Sequence, residues 1–262
     1  MYYVIHEDGD LIEKHWNGHQ VTDKVFIATG VTESFSAKYL LNEDTRRLFF
    51  QDAHDQLQCS DYDEEEEEWI ETALTMETHL AMHPKSQISG CFEASDQLIY
   101  FQAPSGRLQG VRIGGPGEYS ALPDFPDLNA PSPLVHTAYE ASNGTIHLLY
   151  INKANVVRGL QLSSSGWHDS AVKRASFGDH RVQRFTVVPT DGGAVGLLAV
   201  SAGNKVLYID EHGNLIELGQ ISQNRFHAIT SKECATEIVR LGLKIIRAAG
   251  GSQDKDKDKG KK

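Results

Sequence analysis

The stretch RLFFQDAHDQLQCSDY, Arg47 to Tyr62, decides the fold, because the chain repeats it. LIYFQAPSGRLQGVRI from Leu98 and HLLYINKANVVRGLQL from His147 follow the same plan, an apolar run, a short turn and a second run. A looser copy, GLLAVSAGNKVLYIDEHGNLIEL, begins at Gly196. Ala202-Gly203-Asn204 there takes the place of Ala53-His54-Asp55 and Pro104-Ser105-Gly106. Gly, Asn and Asp at such points supply the positive φ of a tight hairpin. A further short run precedes each hairpin, at Phe35 to Leu40, Gln87 to Phe92, Leu134 to Tyr139 and Gln183 to Val188. A fourth follows it, at Trp69 to Ala73, Gly117 to Leu122, Trp167 to Val172 and Asn214 to Leu218. Four short strands in a recurring unit predict the blade of a β-propeller rather than a sandwich.

The two ends set the blade count. Residues 2–16, YYVIHEDGDLIEKHW, align with the second and third strands of a blade and lack the first, whereas Asn224 to Thr230 matches a first strand. The expectation is an all-β, five-bladed β-propeller over residues 1–230, closed by pairing of its N- and C-terminal strands, with six blades as the alternative. From Thr230 the period changes. TSKE offers a capping box, and Ile238, Leu241 and Ile245 recur at helical spacing, which predicts a C-terminal helix over 231–250 packed on the propeller. Residues 251–262, with SQDKDKDKGKK, read as a disordered charged tail.

Composition narrows the classes of function. The 262 residues carry 25 Lys and Arg against 36 Asp and Glu, a net charge of -11, which argues against a nucleic-acid or anionic-membrane partner. No run of 18 apolar residues predicts a membrane span, and the acidic start lacks the pattern of a secretory signal. Cys59, Cys91 and Cys234 are widely spaced and form no CxxC pair, so a cytoplasmic location is expected. The 12 histidines show no HxH or HExxH spacing, and no GxSxG elbow, Walker loop or GxGxxG is present. No metal, no cofactor and no catalytic residue are assigned from sequence. The acidic run Glu64 to Glu68 reads as a solvated loop. LPDFPDLNAPSP, Leu122 to Pro133, reads as a proline-stiffened loop able to cover a pocket.

The strings RLFFQD and LIYFQA, together with Trp69 and Trp167 at the head of outer strands, resemble the fungal fucose-specific lectins over residues 1 to about 230. The resemblance implies sugar sites between adjacent blades, where an Arg of the second strand and a Glu of the third hold the hydroxyls and an aromatic residue packs on the apolar face. An Arg fork, a carboxylate and an aromatic plate together satisfy an amphipathic ligand. At the Arg position the blades read Met1, Arg47, Leu98, His147 and Gly196, and at the Glu position Glu13, Cys59, Gly110, Gly159 and Tyr208. No blade has both. The candidate ligand-binding residues are therefore partial sets, Arg47 with Trp69 and Glu13 with Trp16, joined by Trp167 and His147.

This reading predicts a small-molecule-binding, lectin-like propeller with a degenerate carbohydrate site. By fold-level analogy, a cofactor-independent cyclase or isomerase of fungal secondary metabolism, of the hetero-Diels–Alderase type, stands as an alternative using a pocket at the propeller axis. A protein-interaction platform is the third. Whether the chain is an enzyme at all, and its oligomeric state, stay open in the sequence.

Overall fold

The structure is a computed structural model that describes residues 2–229 apart from 18, 32–35, 42–45, 73, 75–79, 115–118, 142, 164–165, 190–194 and 223–224. The described residues form twenty strands in five antiparallel sheets and no helix. The first blade is β1 (Tyr2–Glu7), β2 (Asp10–Trp16) and β3 (Val21–Ala28). The second is β4 (Ala37–Leu41), β5 (Arg46–Gln51), β6 (Leu57–Asp63) and β7 (Glu68–Glu71). The third is β8 (Ser89–Glu93), β9 (Asp96–Gln102), β10 (Leu108–Ile113) and β11 (Tyr119–Ala121). The fourth is β12 (His136–Glu140), β13 (Ile146–Ile151), β14 (Val156–Ser163) and β15 (Gly166–Ser176). The fifth is β16 (Val182–Pro189), β17 (Val195–Ser201), β18 (Lys205–Ile209), β19 (Leu215–Ser222) and β20 (Arg225–Ala228). Within each blade, consecutive strands are neighbours. The expected five-bladed all-β propeller is what the chain forms.

Face-to-face packing of blades explains the repeat. A second strand is buried on both sides, so it reads as a continuous apolar run rather than an alternation. Leu48 and Phe50 of β5 face a cluster shared with Leu11 and Ile27 of the first blade, while Phe49 faces Ile99 and Phe101 of the third. Tyr150 and Leu148 of β13 face the third blade, and Leu149 and Ile151 face the fifth. The hairpin turns are equivalent as well. Asp55, Gly106, Asn155 and Asn204 all have positive φ, and each donates its N–H three residues back to Asp52, Ala103, Asn152 or Ser201 at 2.8–3.2 Å.

Closure differs from the expectation. β20 does not pair with β1; it adds to the fifth blade as a fifth strand, antiparallel to β19 with Ser222 opposite Arg225 and Gly219 opposite Ala228. Only two residues separate the strands, so this local pairing costs little loop-closure entropy, whereas pairing with β1 would join opposite ends of the chain. The first sheet consequently stays three-stranded among the described residues. The predicted helix over 231–250 and the tail over 251–262 lie outside the described residues.

The innermost strands surround an axis. β4, β8, β12 and β16 neighbour one another in turn, and Val4 of β1 lines the same axial cavity as Phe185 of β16. Polar ties cross from blade to blade there. Ser36 Oγ accepts the Ile88 N–H at 2.8 Å, and the Gln87 side-chain amide donates to the Gln183 carbonyl. His136, fully buried, donates from Nε2 to the Gln87 carbonyl at 3.1 Å, which leaves Nδ1 to accept from Ser89 Oγ at 2.7 Å. Burial pushes the His136 imidazole down to about 4, so the ring is neutral near pH 7.

Candidate functional site

Alternation along the strands gives every groove between blades the same construction. Positions 13, 47, 59, 98, 110, 147 and 159, where sugar-holding residues are implied, all look onto a groove toward the next blade. What fills each groove differs.

Between the first and second blades the groove is closed by a network on Glu13, which is fully buried. Arg46 Nη2 donates to its Oε2, Arg46 Nε to Oε1 at 3.3 Å, Tyr39 OH to Oε1 at 3.0 Å, and Trp69 Nε1 to Oε2 at 3.3 Å. His15 Nε2 lies 3.1 Å from the same carboxylate. The Arg46 guanidinium also lies 3.6 Å above the centre of the Tyr62 ring. Burial works against its charge, but hydrogen bonding and charge attraction from Glu13 prevail and raise its pKa. Burial and the Glu13 charge push the Tyr39 hydroxyl well above its ordinary value. An Arg, a Glu and a Trp therefore meet here, bound to one another. Glu13 and Trp69 meet as candidates from different pairings, with Arg46 in the role given to Arg47. Trp16 ends β2.

Arg47 is one residue further along β5 and points into the next groove. It binds Asp61, directly opposite on β6, in a bidentate pair with Nη2 at 2.7 Å from Oδ2, and donates from Nη1 to Gln97 of the third blade at 3.0 Å. Thr72 donates to the same carboxylate at 2.9 Å. Cys59, at the Glu position, is buried, and desolvation pushes its thiol far up.

The proline-rich loop fills the groove between the third and fourth blades. Phe125 is 5% exposed, stacks on Trp167 with ring centres 4.4 Å apart, and meets Tyr100 edge-on at 6.1 Å. Trp167 donates from Nε1 to the Pro123 carbonyl at 2.9 Å. Gly110 is required here, since a Cβ would lie 2.7 Å from Leu122 and 3.3 Å from Phe125. Trp167, a candidate aromatic plate, thus has its face taken by the chain itself.

Between the fourth and fifth blades the groove is open, with a cavity of about 300 Å3. His147 lies on its wall, stacked nearly parallel on Tyr139 at 5.2 Å, and burial lowers its pKa. Gly159 leaves the floor clear, and a Cβ there would make only ordinary contact, 3.4 Å to Leu149 and 3.7 Å to Val172. Gln161, Ser170 and Lys173 rim one side, and Asp210 and Glu211 of the turn after β18 rim the other. Asp210 is fixed by N–H donation from His212 at 2.9 Å and Asn214 at 2.7 Å, and Gly213 (φ 87°) fits this turn against Arg174, 2.8 Å from its carbonyl oxygen to a built Cβ. A bulge in β15 makes the rim. The register shifts between Val156, opposite Ser176, and Arg158, opposite Ala171, and Arg174 takes φ 58°. Bulges re-aim side chains in this way and favour the neighbourhood of sites. Lys173 and Glu211 carry no sequence signal, because the bulge and the turn that place them are not part of the repeat, while Tyr139, Gln161 and Ser170 lie on repeated strands at positions to which the repeat assigns no role.

In the fifth blade the Arg and Glu positions are mutually occupied, Tyr208 lying so close over Gly196 that a Cβ would sit 2.4 Å from its ring.

No family model matches the sequence, and no curated protein matches it. Among solved structures the chain is similar to AofleA from Arthrobotrys oligospora, at 17% identity over 82% of this chain and 66% of that one, with a TM-score of 0.65. It is similar to the SapL1 lectin in complex with alpha methyl fucoside, at 17% identity over 84% and 74%, TM-score 0.56. It is also similar to the six-bladed β-propeller lectin of Aleuria aurantia, at 14% identity over 84% and 77%, TM-score 0.52. At these identities the likeness establishes the lectin-like propeller fold. The chain spans just under two thirds of the length of AofleA, 66%.

Proposed function

We propose that the chain is a lectin-like, small-molecule-binding propeller whose degenerate carbohydrate site lies in the groove between the fourth and fifth blades. One observation carries the reading. This groove keeps about 300 Å3 of space at the place where the resemblance implies a sugar, while three other grooves are occupied by Glu13 with Arg46, Arg47 with Asp61, and Phe125. That volume is at the lower end for ligand pockets, about 300–1,000 Å3, and suits one saccharide unit. The Tyr139–His147 stack offers an aromatic wall for C–H groups, and Gln161, Ser170, Lys173 and Glu211 offer donors and acceptors to hydroxyls. His147 and Gly159 replace the implied Arg and Glu, so specificity for fucose is relaxed and affinity is low. The solved relatives named above include a lectin with bound alpha methyl fucoside, which supports carbohydrate as the ligand class.

The test is a glycan array followed by calorimetric titration with L-fucose and the best array hits. One weak site per chain, lost in His147→Ala, is expected. Absence of any glycan binding at millimolar concentration would overturn the carbohydrate reading. A gain of fucose affinity in His147→Arg/Gly159→Glu, which restores the implied pair, would support it further.

A further inference from the structure

The axial cavity has a charge character opposite to that of the chain. It encloses about 390 Å3, and its lining carries two basic side chains, Lys38 of β4 and Arg184 of β16, with no Asp or Glu among the described residues. The whole sequence has an excess of acids, at net charge -11. Elsewhere in the propeller basic groups meet a carboxylate, both where they are largely buried, as in Arg46–Glu13 and Arg47–Asp61, and where they are more open, as in Arg112–Glu93, Arg158–Asp169 and Lys205–Glu217. Lys38 and Arg184 have no ion pair among the described residues.

Lys38 is the costlier of the two. Its stem runs across Gly90, with Cγ 3.6 Å from the site of a Cβ there, and burial lowers the pKa of its amine. The neighbouring Cys91 thiol supplies no counter-charge near pH 7, since burial pushes it up to about 12. A cation taken out of water without a partner is destabilising, and a chain with 36 acids has had ample means to place one beside it. The rest of the wall is suited to an amphipathic guest. Val4, Ile88 and Phe185 are apolar, and the Thr137 and Thr186 hydroxyls add hydrogen-bonding groups. Ser89 and His136 are saturated by each other and by the Gln87 carbonyl, so they shape the wall without contributing charge.

We propose that the axial cavity binds a small organic anion, a carboxylate or phosphate monoester on a compact apolar body, with the anionic head between Lys38 and Arg184 and the body against Val4, Ile88 and Phe185. The bound head would provide the counter-charge that Lys38 lacks among the described residues. This site is separate from the inter-blade groove and does not rest on the carbohydrate reading.

Calorimetric titration of the full chain with benzoate, phenyl phosphate and benzamide tests it. At least one anion is expected to bind at one site, about tenfold or more tighter than the neutral benzamide, and which anion does so identifies the head group. Lys38→Met should lose that binding while its denaturation midpoint holds or rises, because the substitution removes a half-buried cation that has no ion pair among the described residues. Arg184→Gln, on an exposed side chain, should weaken the same anion, and saturating L-fucose should not displace it. Equal binding of benzamide and the anions, failure of both anions to bind the folded protein, or unchanged anion binding in Lys38→Met or Arg184→Gln would overturn the proposal.

Discussion

The groove between the first and second blades and the groove between the fourth and fifth are made by the same hairpins, and they have opposite contents. In the first, the carboxylate of Glu13 receives Arg46, Tyr39 and Trp69, so these groups are bound to one another. In the second, the corresponding glycine, Gly159, leaves a cavity rimmed by polar groups. The contrast shows that residue types suited to a sugar do not make a sugar site when they can reach each other. An Arg–Glu pair that closes on itself becomes part of the core, and space, rather than the triad, marks the groove that can take a ligand.

The strongest way to break this comparison is to remove the carboxylate at the centre of the first groove. Glu13→Gln removes the buried counter-charge of Arg46, leaving the exposed Glu64 at 3.7 Å, and is expected to cost about 3–5 kcal/mol in urea denaturation. Ligand binding in the far groove should be unaffected in the folded fraction. A loss under about 1 kcal/mol, as for an exposed pair, would mean the network is not part of the core.

Phe125→Ala would turn a filled groove into an open one. It is expected to cost about 3 kcal/mol, the usual loss for truncating a buried phenylalanine, and to shift Trp167 emission to the red as its face meets water. Unchanged emission would show that the loop does not rest on Trp167.

Acid offers a gentler probe, directed at the axis rather than at either groove. His136 is held down to about 4 by burial, so below its ordinary pKa of about 6.5 the unfolded chain takes up a proton that the folded chain refuses. Stability tied to the neutral ring is complete above that value and is lost as pH falls toward 4, by about 2 kcal/mol at pH 5. His136→Gln should flatten this part of the pH–stability curve relative to the parent, and parallel curves would place the acid sensitivity elsewhere. Substituting His147, in contrast, should change stability by less than about 0.5 kcal/mol, since it borders a cavity.

The repeat made the blades legible, because second strands buried on both faces cannot hide their apolar runs among loops. Site assignments were less legible, and Arg46 shows why. Alignment of blades singles out Arg47, yet successive side chains on a strand point to opposite faces, so the neighbour one residue away is the one that meets Glu13 and Trp69. Asp61 is hard to read from sequence for a related reason. It belongs to an acidic-looking stretch in the sequence, but it sits directly across β5 from Arg47. The closing strand was misplaced because its composition suits any sheet edge, and proximity along the chain decided which edge it took. His147 was found by its position in the repeat, whereas Lys173 and Glu211 depend on a bulge and a turn that belong to one blade only.

The most direct test of the central claim uses Gly159→Trp, which fills the floor of the open groove and leaves the Glu13 network intact. Titration of the best glycan ligand against this variant and against the parent is predicted to show one site in the parent and none in the variant, with the variant still folded by circular dichroism. Equal binding in the two proteins would contradict the account and place the ligand outside this groove.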